Sequence, residues 1–327
     1  MIYPSFLKQG DTIGISAPSA GVGRKLDSFD LSLETLKKKG FNIKETEHVR
    51  VNDPRGGTAK ERGDELNQLF KDNDVDFVMC AAGGDFLNEM IPYISFNTLK
   101  KHPKWIMGAS DPTSILYPYT TLCDVATIYG CNAGSYDLRP LPKFLKNNLE
   151  IIQGNLIEQT SFSKYQSDKP WEVEGYVPNT KVTYKATVDD LEVEGRCIGG
   201  CIDGLKDIIG TKFDGTKKFI QKYKDDGFIW YFDNFALSAE NLYRTLIQMK
   251  YAGWFEYTKA IIVGRTLIES SETGMSYEEA LQNITEDIPL IYQADIGHTS
   301  PSMTMINGAI LHLSYHDHKA TLKFECR

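Results

Sequence analysis

The run Asp76-Phe77-Val78-Met79-Cys80 is apolar at every position after the first. A strand with one wet face alternates polar and apolar side chains. A strand without that alternation is covered on both faces, which is the condition of a mostly parallel sheet with helices packed on each side. Thr12-Ile13-Gly14-Ile15, Trp105-Ile106-Met107 and Phe228-Ile229-Trp230-Tyr231-Phe232 have the same character. The chain is therefore expected to be an α/β protein rather than a sandwich or a helical bundle.

The intervening stretches read as helices. From Leu26 to Lys39 the apolar residues Phe29, Leu31, Leu33 and Leu36 fall at helical spacing, and Gly40 is placed to end the helix. Thr58 caps a helix running to Lys71, Ser238 one running to Ala252 before Gly253, and Ser276 one running to Ile284. At 327 residues, length favours about two domains. Residues 1–160 form an N-terminal, mostly parallel sheet flanked by helices. The polar stretch 161–192, with its short alternating segments, reads as a connector and a cover for a site. Residues 193–327 form a smaller C-terminal α/β domain. It opens with a strand ending in a Gly199-Gly200 turn ahead of a helix Ile202 to Ile209, and closes with a β-hairpin, Ala309 to Tyr315 and Ala320 to Phe324.

The chemistry lies at strand ends. Lys104-Trp105-Ile106-Met107-Gly108-Ala109-Ser110-Asp111-Pro112-Thr113 is a buried strand, a sharp turn and a helix start. Such a turn pushes the serine side chain out of the sheet and aims free helix N–H groups at it, as in a nucleophile elbow. The same turn is equally a place for a helix N-cap serine. Gly83-Gly84-Asp85 follows another strand, where backbone amides can approach a ligand closely. Gly83, Gly84 and Asp85 therefore stand where a substrate is met. Asp233 and His298 each lie just past an apolar strand, so the chain carries Ser110, an acid and a histidine in one of the orders found in hydrolytic triads. Taken alone, Asp233 is also a turn residue and His298 also a loop histidine.

Other classes are set aside by composition. A formal net charge of -8 and a pI near 5.4 leave no basic stripe for nucleic acid. No apolar run approaches ~18 residues and no leader-type start is visible, so neither a membrane span nor export is expected. The six cysteines form no C-x-x-C pair and suit buried, reduced thiols in a cytoplasmic protein. His312, His316 and His318 would share a strand face, but without an acidic or thiolate partner nearby no metal is expected. Neither a Walker motif nor Gly-x-Gly-x-x-Gly follows the first strand, so no cofactor is expected.

The pieces together resemble the LD-carboxypeptidase and microcin C immunity family of serine peptidases. The likeness runs through Gly10-Asp11-Thr12-Ile13-Gly14-Ile15-Ser16-Ala17-Pro18-Ser19, Gly83-Gly84 with Pro92-Tyr93, Gly108-x-Ser110-Asp111, Tyr129-Gly130, Gly199-Gly200, the strand into Asp233 with Leu242-Tyr243-Arg244, and Gly297-His298-Thr299. The resemblance implies Ser110 as nucleophile, His298 as general base and then acid, an acid orienting the imidazole, and an oxyanion hole from the amides of Gly83 and Asp111. It implies a small peptide substrate, a muropeptide cut at an L,D-bond, and a homodimer. The alternatives are a hydrolase of microcin C-like peptidyl nucleotides and a non-catalytic peptide-binding protein. Two positions depart from the family. Asp233 stands where it carries glutamate, leaving Glu240 as a second candidate acid, and Ala109 stands where an aromatic is common.

Overall fold

The computed structural model describes residues 1–283 and 287–327. Its strands are β1 (Thr12–Ser16), β2 (Asn42–Glu45), β3 (Phe77–Cys80), β4 (Trp105–Gly108), β5 (Thr127–Tyr129), β6 (Gln159–Thr160), β7 (Lys164–Tyr165), β8 (Thr180–Lys181), β9 (Lys185–Ala186), β10 (Leu191–Cys201), β11 (Phe228–Asp233), β12 (Thr258–Gly264), β13 (Leu290–Ala294), β14 (Met305–Asn307), β15 (Ile310–His316) and β16 (Lys319–Glu325). Its longer helices include α1 (Leu26–Lys38), α2 (Ala59–Lys71), α3 (Thr113–Cys123) and α4 (Ala239–Tyr251). Two compact units result, Met1–Leu156 with Thr304–Gly308, and Ile157–Met303 with Ala309–Arg327.

The first unit holds a six-stranded sheet in the order β14-β5-β4-β3-β1-β2. Its five early strands are parallel, and only β14 is antiparallel. Every residue of β3, β4 and β5 is buried, as their unbroken apolar runs require. Helix boundaries follow the capping chemistry. Thr58 and Glu61 form a reciprocal capping box at α2, worth about 0.5–2 kcal/mol, and Gly40 takes φ 93° just past α1.

The second unit is built on an eight-stranded sheet, β6-β16-β15-β10-β11-β12-β13-β9. Strands β10 to β13 run parallel, so their carboxyl ends share one edge. This unit is about as large as the first, rather than smaller, because the stretch expected to be a connector belongs to it. β6 pairs with β16, β9 with β13, and β7 with β8 as a hairpin between them. Gly199 and Gly200 lie inside β10 rather than in a turn. A Cβ on Gly199 would sit 1.9 Å from the Tyr231 carbonyl oxygen of the adjoining strand, and that close approach is what calls for glycine. The helix expected over Ile202–Ile209 stops at Leu205. Ser276 caps its helix through the Glu279 amide, and the end expected at Ile284 lies outside the described residues. The closing hairpin turns at Asp317-His318, both at positive φ, and separates the three histidines. His312 faces Glu194 and Glu325, His316 faces Asp190, and His318 meets the Tyr184 carbonyl. Among the described residues no helix is long and apolar enough to cross a membrane.

Candidate active site

In the first unit Ser110 sits between β4 and α3 with φ 71°. A left-handed backbone costs a residue with a Cβ about 1–2 kcal/mol, so the surroundings must hold it. They do. The Ser110 amide donates to Tyr129 Oη at 3.0 Å, the Ala109 amide to Asn132 Oδ1 at 3.0 Å, and Asn132 Nδ2 returns to the Ala109 carbonyl at 3.3 Å. Tyr129 can reach the turn because β5 pairs with β4. Neither Tyr129 Oη nor Asn132 stands out as a positioning group in the sequence, since both act across strands. The strain has a measurable consequence. Ser110→Gly is expected to melt higher than Ser110→Ala, by roughly 1 kcal/mol of stability. The reverse order in thermal denaturation would mean that the turn is relaxed.

Gly83 packs against this serine: a Cβ built on it would lie 3.0 Å from Ser110 Cβ and 3.3 Å from Oγ. Among the described residues neither the Gly83 nor the Asp111 amide finds an acceptor. The Asp111 carboxylate instead accepts from Ser19 Oγ and from the Leu87 amide at 3.0 Å. Burial pushes its pKa up, against those two bonds and the charge of Arg62. Arg62 is wholly buried and donates to the carbonyls of Pro18 (2.7 Å) and Phe86 (3.2 Å) and to Glu89 (2.6 Å), tying together the segments on either side of Gly84. Asp85 is exposed. Beside Gly83 opens a cavity of about 350 Å³, lined among others by Arg24, Lys25, Ser28 and Asn132.

In the second unit Asp233 ends β11, directly opposite Cys201 at the end of β10. Asp233 is wholly buried, and its Oδ2 lies 2.7 Å from His298 Nδ1 while its Oδ1 accepts the His298 amide at 3.2 Å. Gly297 makes this possible. It takes φ 93°, and a Cβ there would fall 1.9 Å from Asp233 Oδ1. The loop is anchored by the Gly297 amide on Ser302 Oγ (2.8 Å) and by Asp295, which binds Arg265 (2.7 Å), Tyr184 Oη and the Phe162 amide (both 2.9 Å). Asp203 fixes the segment after Asp233 by accepting from the Phe235 and Ala236 amides, and the Phe235 ring lies 4.6 Å from the imidazole. Glu240 is placed elsewhere. Its carboxylate accepts from Ser271 Oγ and from the amides of Glu272 and Thr273, and those bonds, led by Ser271, hold its pKa far below the usual range.

The imidazole is pulled two ways. Burial favours its neutral form, but the charge and contact of Asp233 and the charge of Asp203 outweigh burial, so its pKa is raised. A raised histidine contributes stability that is complete below the unfolded value, about 6.5, and is lost as pH climbs through the folded value. The neutral imidazole is gained over that same window. A reaction that used this imidazole as its base would have an acid limb of kcat/KM above about 6.5, moving down in Asp233→Asn. A limb below that value in the parent would contradict the pairing.

Two family models match the chain: the LD-carboxypeptidase N-terminal domain over residues 13–130 and the LD-carboxypeptidase C-terminal domain over 194–313. The chain is 27% identical to the microcin C7 self-immunity protein MccF of Escherichia coli, over 94% of this chain and 92% of that protein. It is 26% identical to a Bacillus subtilis protein named "probable murein peptide carboxypeptidase", over 94% and 89%. Its fold matches the crystal structure of an MccF-like protein from Bacillus anthracis with a TM-score of 0.84, at 21% identity over 100% of both chains.

Proposed function

Because the chain belongs to the LD-carboxypeptidase family of serine peptidases, we propose that it is a cofactor-free carboxypeptidase that cuts the L,D-amide bond of murein peptides. The observation that carries the reading is the buried Asp233 carboxylate 2.7 Å from Nδ1 of His298; in our reading it favours the proton on Nδ1 and leaves Nε2 as the base. Ser110 Oγ attacks the scissile carbonyl as His298 Nε2 takes its proton. The oxyanion is held by the Gly83 and Asp111 amides, and His298 returns the proton to the departing amine. Water then repeats the sequence on the acyl-enzyme. The substrate ends in a carboxylate, and Arg24 and Lys25 beside the Gly83 cavity are the cations suited to it. Arg24→Ala with Lys25→Ala is expected to raise KM roughly 10-fold or more with a smaller change in kcat, the loss of about one charged hydrogen bond. An unchanged KM would remove these residues from the site. We further propose a homodimer, which sedimentation of the purified protein tests, and a cytoplasmic location, which cell fractionation tests.

The deciding experiment offers the protein a murein tetrapeptide and, separately, a peptidyl nucleotide, alongside fluorophosphonate labelling. Release of the terminal D-amino acid, with labelling lost in Ser110→Ala, supports the proposal. Cleavage of the peptidyl nucleotide alone moves the chain to the self-immunity type of activity. Binding of either without product assigns a non-catalytic role. Full hydrolysis by Ser110→Ala overturns the mechanism.

A further inference from the structure

The ends of β10 and β11 bring a third reactive group to the histidine. Cys201 lies opposite Asp233 in the parallel register, and the loop after β13 delivers His298 to the same place. One ligand atom from each of Cys201, Asp233 and His298 lies within 4.8 Å of the other two, the only such group among the described residues. We propose that these three side chains form a site for a zinc-class divalent cation, and that its occupation takes the imidazole out of acid–base work.

The donor set selects the ion. A thiolate, an imidazole and a carboxylate are ligands that zinc takes tetrahedrally at about 2.0–2.3 Å, whereas magnesium and calcium require oxygen. Bond lengths of about 2.0–2.3 Å place ligand atoms roughly 3–4 Å apart, which falls within the 4.8 Å that spans the three atoms here. Water fills the fourth position. Asp203 Oδ2 accepts from the Cys201 thiol at 3.6 Å. Burial and the charges of Asp233 and Asp203 keep that thiol protonated, so the cation itself supplies the charge that ionises it. Entry is from the histidine side, where the imidazole is 17% exposed and the other two residues are buried.

Binding balances simply. The hydrated ion sheds water, the thiol proton leaves to solvent, and the ring proton moves from Nδ1 to Nε2 as Nδ1 takes the metal. With Nε2 protonated, no ring lone pair remains for a serine hydroxyl. The metal site rests on the three ligands alone, and only its inhibitory effect depends on the peptidase reading.

The test uses the full chain and cobalt(II), whose thiolate complex is coloured. One equivalent should produce a thiolate-to-cobalt charge-transfer band and tetrahedral d–d bands, displaced by zinc. Cys201→Ser should lose the charge-transfer band and weaken zinc inhibition, measured against that variant's own metal-free rate, by at least the roughly 10–100-fold that an outer-shell partner is worth. His298→Ala should weaken cobalt binding as well. No band in the parent, or a band that survives in Cys201→Ser, overturns the site. A cobalt spectrum without any peptidase activity in the metal-free parent keeps the site and refutes only the inhibition.

Discussion

Ser110→Ala, His298→Ala and the variant carrying both are expected to hydrolyse murein peptide at one common residual rate, roughly 10⁴–10⁶-fold below the parent. A nucleophile and its base transfer one proton between them, so removing either disables the same step and removing the second has nothing further to disable. If the two residues contributed independently, their losses would multiply in the double variant. The measurement is kcat/KM for release of the terminal D-amino acid in the three variants. Multiplying losses would show that the elbow serine and the Gly-His-Thr histidine do not serve one reaction.

The second large effect concerns the acid. Asp233→Asn is expected to lower kcat about 10⁴-fold, since an amide can hold Nδ1 in the wrong tautomer without stabilising the imidazolium. Glu240→Gln serves as the control and should leave turnover close to the parent, because Glu240 is committed to the 271–273 segment. Asp233→Glu should also fail. The carboxylate is fully buried against Gly297, and its Oδ1 already occupies the place a Cβ on that residue would need. An added methylene there overpacks the site at a cost of about 1–3 kcal/mol and displaces both contacts to His298. Turnover above the parent in Asp233→Glu would mean that the pocket suits the longer acid after all.

Local chemistry in this chain was readable and non-local chemistry was not. The elbow, the caps at Thr58, Ser238 and Ser276, and the strand runs at Phe77 and Phe228 each depend on residues within a few positions, and the structure carries them as expected. Three features depend on what arrives from far along the chain. Gly199 looks like a turn glycine until β11 lies against it. The stretch 161–192 looks like a linker because β6 and β9 are two residues each and become strands only by pairing with β16 and β13. Cys201 reads as an inert buried thiol, and only the parallel register with β11 reveals its neighbours. Position at the strand end favours Asp233 in the sequence over Glu240, which falls in the first turn of a helix, as acids commonly do. Gly297 separates them by admitting one carboxylate and no Cβ.

The strand Met305–Asn307 closes the edge of the first sheet against β5. Its residues leave the ribosome almost 180 positions after Tyr129, which at about 5–20 residues per second is a wait of roughly ten to forty seconds. Throughout that interval β5 presents unpaired amides and carbonyls, the template on which strands of other molecules can add. Early folding of the N-terminal half therefore yields a competent but unsealed particle. The exposed edge of the first sheet is therefore sealed by a segment made long after the sheet itself.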